Sequence, residues 1–161
     1  MIIYSDPTMA LCRRCSGEYV RVLKYIGESG RLKVISLNQR KTEGLAETRA
    51  ITVRVAEILG FKSGEVRFVF HPGWGARGLA YPWDFEVELG YNTNIETIVH
   101  ELTHIMCYDE TTLWRGINGR KRTSVHNEGF AAWLVAAMDN VLEYAEELGI
   151  RIFTIEDVMS R

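Results

Sequence analysis

Apolar and polar positions alternate along the chain with two different periods, which together predict both helices and strands. Apolar side chains spaced three and four residues apart predict helices over residues 9–28 and 43–59, the second ending at Gly60. Short apolar runs bounded by turn residues predict strands, which cover residues 1–5, 32–37, 65–70 and 85–89. This order of elements predicts an α+β fold with a small mixed sheet.

The second half of the chain predicts two further helices, each with an apolar stripe. The first begins after Thr93 or Asn94, either of which can cap its first turn. Its stripe consists of Ile95, Ile98, Val99, Leu102 and Met106. The second begins near residue 125, and its stripe consists of Phe130, Leu134, Ala137, Met138, Val141, Ala145 and Leu148. Between the two helices, Asn118 and Gly119 form a strong turn signal and predict a hairpin.

Length and composition are typical of one compact domain covering residues 1–161. A hydrophobic content of 47% is enough to bury a core without disulfides. The net charge of -2 gives no general signal for phosphate binding, so nucleic acid is not an expected partner. The one basic cluster is expected to be a solvated loop, with a substrate- or nucleic-acid-facing patch as the alternative. It consists of Arg115, Arg120, Lys121 and Arg122.

The sequence contains no signal for export or for insertion into a membrane. The first residues lack a basic region followed by a long apolar run, and no stretch approaches the roughly 18 apolar residues of a membrane span. Three cysteines cannot all pair within one chain, and they fit a reducing compartment. We therefore expect a cytoplasmic protein that does not contact a membrane.

His100, Glu101 and His104 form the pattern HExxH within the first of the two late helices. Residues four apart lie on the same face of a helix, so the two imidazoles can bind one Zn²⁺ ion. The helical period places both histidines away from the apolar stripe. Glu101 lies one position further round, where its carboxylate can take a proton from water on the metal. The pattern predicts one catalytic zinc ion with Glu101 as general base.

A catalytic zinc ion usually takes three protein ligands, so a third ligand is expected downstream. Glu128 projects off the apolar stripe of the second late helix and has small neighbours, which would allow that helix to approach closely. His126 is the competing candidate. The residue types and spacing by themselves leave both candidates open.

Residues 127–131 read Asn-Glu-Gly-Phe-Ala, and together with HExxH they resemble the gluzincin metallopeptidases, the clan of thermolysin and the alanyl aminopeptidases. In that clan the third zinc ligand is the glutamate of the downstream helix, which implies Glu128. The resemblance covers about residues 75–140 in architecture, but only the two short motifs match closely. Minigluzincins are similar to this chain in size. The resemblance implies a single zincin-like domain with an upper lobe at about 1–108 and a lower lobe at about 109–161.

Two features depart from the clan. His104 and Glu128 are separated by 23 residues, which is neither the aminopeptidase spacing nor the longer thermolysin spacing. Ala132 stands where the thermolysin pattern has an aspartate that supports a histidine. The resemblance therefore implies the ligand set of the clan without assigning a subfamily.

Membership of this clan would imply a zinc metallopeptidase that hydrolyses peptide bonds, and the lack of an aminopeptidase motif before the HExxH helix favours an endopeptidase. Residues 78–82 resemble the upper-rim strand of zincins, whose backbone pairs with an extended peptide substrate. An ordinary turn and strand is the alternative for this segment. A helper for the oxyanion is expected among His126, Tyr91 and Tyr144.

Four other functions fit parts of the sequence. SprT-like proteases use a third histidine and would place the ligand at His126, whereas regulatory metalloproteases of the ImmA/IrrE type place a ligand glutamate just before a similar helix. A zinc-binding regulatory protein without catalysis is a third alternative, against which the intact Glu101 argues. Cys12 and Cys15 form a CxxC pair at the start of a predicted helix, which is typical of a redox protein.

Overall fold

A computed structural model of the chain describes residues 22–26, 32–36, 42–108, 128–150 and 152–153. The described residues belong to two compact units. One unit draws on Met1–Arg40 and His126–Arg161, and the other on Lys41–Val125. Each unit combines a three-stranded sheet with helices, so the predicted α+β class is confirmed. The predicted single domain with two lobes stays a prediction.

The elements follow the order strand, helix and strand that the apolar pattern predicts for the middle of the chain. In chain order they are β1 (Val22–Ile26), β2 (Leu32–Ser36), α1 (Leu45–Ile58), β3 (Arg67–His71), β4 (Gly78–Tyr81), a 3-10 turn (Pro82–Asp84), β5 (Glu86–Gly90), α2 (Ile95–Met106), α3 (Glu128–Leu142), α4 (Ala145–Leu148) and β6 (Ile152–Phe153). None of the helices in the described part of the chain is long and apolar enough to span a membrane.

The unit within Lys41–Val125 contains a mixed sheet with the strand order β3-β5-β4. β5 pairs in parallel with β3 and antiparallel with β4, and both strands predicted in this region are confirmed with shifts of one or two residues. The alternation along β5 buries Val87 and Leu89 completely. Glu88 lies on the opposite face, where its carboxylate accepts a hydrogen bond from Tyr81 Oη at 3.2 Å and lies 3.2 Å from His71 Nε2. The sheet therefore has one apolar and one polar face.

Helix α2 packs against β4 and β5, and α1 packs against α2. Asn94 is the N-cap of α2, since its Oδ1 accepts a hydrogen bond from Thr97 N at 2.8 Å. Met106 is only half-buried, and Ile105 is buried in its place. The other predicted stripe residues are all buried, namely Ile95, Ile98, Val99 and Leu102. The predicted apolar stripe is thus confirmed at four of its five positions.

Buried threonine hydroxyls connect the start of α1 to the residues that precede α2. Thr42 donates from its backbone N and from Oγ1 to Thr93 O, at 2.9 and 3.0 Å. The Thr48 hydroxyl lies 2.6 Å from Thr42 Oγ1 and also donates to Tyr91 O. Because these groups are shielded from water, their mutual hydrogen bonds avoid the cost of burying polar atoms without partners. The network fixes the first turn of α1 beside the start of α2.

The other unit contains a second sheet, in which β2 pairs antiparallel with β1 on one side and with β6 on the other. The predicted helix at 9–28 is wrong for residues 22–26, which form β1. Apolar residues in this stretch fit both the helical and the strand period, and pairing of Val22–Ile26 with Leu32–Ser36 along its whole length decides in favour of a strand. The predicted strand at 1–5 and residues 9–21 lie outside the described residues.

The second late helix is divided in two. α3 ends at Leu142, residues 143–144 form a turn, and α4 begins at Ala145. Ala145 is half-buried, but the other predicted stripe residues are buried, namely Phe130, Leu134, Ala137, Met138, Val141 and Leu148. The stripe is therefore confirmed, whereas the continuous helix is wrong at the turn. The hairpin predicted at Asn118 and Gly119 lies outside the described residues.

Removal of the α2 cap should lower the stability of the protein without disrupting its core. We expect Asn94→Ala to reduce the free energy of unfolding by about 1 kcal/mol, because Thr97 N loses its partner. Asn94→Asp keeps an acceptor oxygen at the same place and serves as the matched control, which should stay close to the wild type. Urea denaturation followed by tryptophan fluorescence measures both, and equal losses in the two variants would show that capping is not the cause.

Candidate metal centre

Helix α2 brings the imidazole rings of His100 and His104 together. The two Nε2 atoms are 3.2 Å apart, and the ring planes meet at 75° with centroids separated by 4.9 Å. His104 is 1% exposed, although the helical period places it away from the predicted stripe, and His100 is half-buried. Burial continues round the helix, since Glu101 and Thr103 are also buried. The HExxH pattern therefore forms a convergent pair of nitrogen donors in a shielded position.

The separation of the two donors fits a shared metal ion. Two nitrogen ligands of one tetrahedral zinc ion, with bonds of roughly 2.0 to 2.1 Å, lie about 3.3 Å apart. The observed 3.2 Å is close to that value. The same distance accommodates a hydrogen bond between one protonated and one unprotonated Nε2 when no metal is bound. A metal ion needs an unprotonated Nε2 on both rings, so each neutral imidazole would then carry its proton on Nδ1.

Glu101 follows His100 on α2, and its side chain is largely removed from water. Glu101 is 8% exposed, and desolvation by burial raises the pKa of its carboxyl from 4.5 to about 8. The cause is the loss of hydration, which penalises the charged form. A divalent cation held by the neighbouring histidines would act in the opposite direction, because an opposite charge stabilises the carboxylate. Burial thus favours the neutral form of this carboxyl, whereas a bound cation would favour the charged form.

Strand β4 packs directly onto Glu101. A Cβ atom at Gly78 would lie 2.8 Å from Glu101 Cγ, 3.1 Å from Glu101 Oε1 and 2.9 Å from Thr97 Cγ2. The Thr97 hydroxyl donates to Ala76 O at 3.0 Å, which holds the segment before β4 against the first turn of α2. In the described part of the sheet, β4 pairs only with β5, on one of its two sides. An edge strand therefore runs beside the candidate base.

The sequence identifies Gly78 only as one of several glycines that interrupt the apolar pattern. Its close approach to Glu101 is a feature that sequence reasoning missed. The available signal is that Gly78 and Ala80 are small residues on the same face of a short strand that precedes the HExxH helix. Two small residues indicate a close approach to Glu101 only if β4 is already known to pack on α2. The strand predicted at 78–82 is present as Gly78–Tyr81.

A third metal ligand is not provided by the described side chains. Within this part of the chain, no group of three or more His, Cys, Asp or Glu side chains is arranged to hold a metal ion. Glu128 is the first residue of α3 and belongs to the other unit, but its side chain is not among those described. His126 lies outside the described residues. Both predicted candidates for the third ligand therefore stay predictions.

The remaining predicted site residues fall in different places. Tyr91 follows β5 directly, whereas Tyr144 lies in the turn between α3 and α4 and is 41% exposed. The choice of an oxyanion helper among these two tyrosines and His126 stays a prediction. Cys12, Cys15 and the basic cluster from Arg115 to Arg122 lie outside the described residues.

Burial of Glu101 should make the stability of the metal-free protein depend on pH. The unfolded carboxyl ionises near 4.5 and the folded one near 8, so the folded state binds more protons in between. The free energy of unfolding should therefore fall as pH rises through this window, by a few kcal/mol at most from this group. Urea denaturation of the chelated protein at about pH 5.5 and pH 8 measures the change. Glu101→Gln should flatten it, and an unchanged slope in that variant would assign the effect to other groups.

Comparisons of the chain with models of protein families, with curated proteins and with solved structures find no match. The candidate centre is defined by its own residues. Two imidazole nitrogens converge on α2, the carboxyl of the residue that follows His100 is buried, and an edge strand packs against that residue.

Proposed function

We propose that the protein is a zinc-dependent metallopeptidase, with His100 and His104 as metal ligands and Glu101 as the general base. The observation that carries the proposal is the 3.2 Å separation of the two Nε2 atoms. This separation is close to the distance between two nitrogen ligands of one tetrahedral ion, which supports the proposal. A purely structural metal would need no carboxyl beside it, and the buried Glu101 is the group that hydrolysis requires.

Glu128 is proposed as the third ligand, on the resemblance of residues 127–131 to the gluzincin segment. Two neutral imidazoles and one carboxylate would leave a net positive charge at the ion. A zinc ion held in this way polarises a carbonyl oxygen and lowers the pKa of water at its open position towards neutrality. His126 is the ligand in the SprT-like alternative. The two assignments predict different metal-binding variants, which makes them separable by experiment.

Glu101 performs the proton transfers in this proposal. Its carboxylate accepts a proton from the attacking water and then donates it to the amine that leaves the cleaved peptide bond. Both steps need a group whose pKa lies near the working pH. Burial raises the pKa of Glu101 and the metal charge lowers it, so the two effects together hold the carboxyl in the range where it can both accept and donate.

The edge of β4 is proposed to hold the substrate. An extended peptide can add to a strand that is paired on one side only, through backbone hydrogen bonds that do not depend on side chains. β4 lies at the edge of the described sheet, and its first residue contacts Glu101. A peptide paired with β4 would therefore bring a backbone carbonyl close to the metal and the base. This arrangement favours an extended segment of peptide or protein as the substrate class.

The zinc content of single variants should distinguish Glu128 from His126 as the third ligand. We expect about one zinc ion per wild-type chain and a large loss of zinc in His100→Ala, His104→Ala and Glu128→Ala. His126→Ala is the matched control near Glu128 and should retain zinc. Elemental analysis after dialysis under identical conditions measures the zinc content of the wild type and of the four variants. Loss in His126→Ala with retention in Glu128→Ala would favour the SprT-like assignment, and no zinc in the wild type would contradict the proposal.

Removal of the base should abolish hydrolysis while leaving the metal bound. We expect Glu101→Gln to retain zinc and to reduce kcat on a mixture of internally quenched fluorescent peptides by a factor on the order of 10² to 10⁴. Glu96→Gln is the matched control, because it neutralises another buried carboxyl on the same helix. Turnover at the wild-type rate in Glu101→Gln would exclude the proposed mechanism. Equal losses in the two variants would point to damage of the helix instead.

A further inference from the structure

Gly78, the first residue of β4, lies close to the side chain of the candidate base. A Cβ at this position would lie 2.8 Å from Glu101 Cγ and 2.9 Å from Thr97 Cγ2, which is closer than carbon atoms approach without displacement. We propose that Gly78 is a positioning residue, whose missing side chain allows the β4 backbone to hold the Glu101 carboxyl in its working orientation. This inference rests on the proposed function of Glu101 and extends it to a residue outside the HExxH pattern.

The backbone conformation does not explain the glycine. The described glycines that have a positive φ angle are Gly44, Gly60, Gly64, Gly73, Gly75 and Gly149, and Gly78 is not among them. A glycine inside a strand also lowers stability relative to alanine, because the chain loses more conformational freedom on folding. Gly78 lies at the first position of β4, opposite Leu89 of β5. Its lack of a side chain is therefore required by space and not by backbone geometry.

The two side chains that face Gly78 have little freedom to move away. Thr97 is β-branched and lies in a helix, where its χ1 angle is restricted. Its hydroxyl is also bound to Ala76 O at 3.0 Å. Glu101 is 8% exposed, and the atom nearest to the added Cβ is Cγ in the middle of the side chain, not a carboxylate oxygen at its end. A methyl group at position 78 would therefore shift the Glu101 carboxyl or push β4 away from α2.

A second close approach limits the movement of β4. A Cβ at Gly90, the last residue of β5, would overlap with Gly75 O and would lie 3.0 Å from Gly75 N. The loop before β4 thus lies directly on the end of β5, and it is also held at Ala76 by Thr97. With the loop fixed at two points, β4 cannot retreat freely from α2. Displacement of Glu101 is then the expected response to a methyl group at position 78.

The test compares Gly78→Ala with a second glycine-to-alanine substitution that also strains the protein but lies away from the candidate site. Gly60→Ala is the control, because Gly60 follows the end of α1 at φ +92° and an added Cβ there would lie in open space, so alanine is strained without touching the site. We expect Gly78→Ala to retain zinc and to lose kcat by about 10- to 100-fold with little change in KM, as a misplaced catalytic group does. Gly60→Ala should lose thermal stability and keep kcat. Wild-type kcat in Gly78→Ala would overturn the inference.

A double variant separates positioning from general packing. Gly78→Ala/Thr97→Ser removes the Thr97 methyl group and keeps the hydroxyl that binds Ala76 O, so it relieves one of the two close contacts. It should recover stability relative to Gly78→Ala without recovering kcat, because the contact with Glu101 persists. Recovery of kcat together with stability would overturn the inference. The double variant also provides the measurement if Gly78→Ala alone does not fold.

A structural readout distinguishes failure of this inference from failure of the proposed function. In a crystal structure of zinc-treated Gly78→Ala, or of the double variant, the Glu101 carboxyl should be displaced by about 1 Å or more relative to the histidine pair, a shift sufficient to impair catalysis. An unchanged carboxyl position would overturn the inference whether or not the wild type hydrolyses peptides. A displaced carboxyl in a protein that lacks peptidase activity would support the positioning role and reject the proposed function alone.

Discussion

The close packing of β4 on α2 is the constraint on which the unit within Lys41–Val125 depends. A backbone can approach a helix this closely only where side chains are small, and Gly78 and Ala80 provide that surface. The apolar core at this contact includes Ala80 and its partner Val87, and Glu101 is buried there as well. Fold and candidate chemistry are therefore linked at one interface. A change that separated β4 from α2 would at once expose core residues and return the pKa of Glu101 towards its usual range.

The histidine pair and the carboxyl would both respond to a bound cation. Without a cation, one imidazole can donate an Nε2 hydrogen bond to the other, and burial favours the neutral form of the Glu101 carboxyl. A cation bound to both Nε2 atoms would require the donor ring to carry its proton on Nδ1 and would favour the charged carboxylate. The metal-free centre thus avoids burying a net charge, which would otherwise cost stability. Such a centre is compatible with a folded protein before any metal is acquired.

Many elements of this unit can be predicted from local sequence patterns, because each of these patterns is compatible with only one type of secondary structure. The Asn94 cap, the apolar stripe of α2 and the alternation at Val87 and Leu89 all predict the elements that are observed. Prediction is poorer where local signals allow two structures, as in Val22–Ile26, for which pairing with a distant strand decides. The candidate site shows the same division. HExxH predicts the candidate donors and the candidate base, but the close approach of Gly78 to Glu101 joins residues 23 positions apart, which no local pattern contains.

The order of strands in the mixed sheet has a consequence for how this unit assembles. β5 lies between β3 and β4, and neither of these pairs with the other in the described sheet. Both earlier strands therefore lack a hydrogen-bonded neighbour until the chain has reached Gly90. During synthesis, β3 and β4 emerge first and stay open to solvent or to unwanted partners, and the arrival of β5 completes both ladders together. β5, the last strand of this sheet along the chain, is thus the one that joins the other two, so truncation before β5 should prevent the β3-β5-β4 sheet from forming.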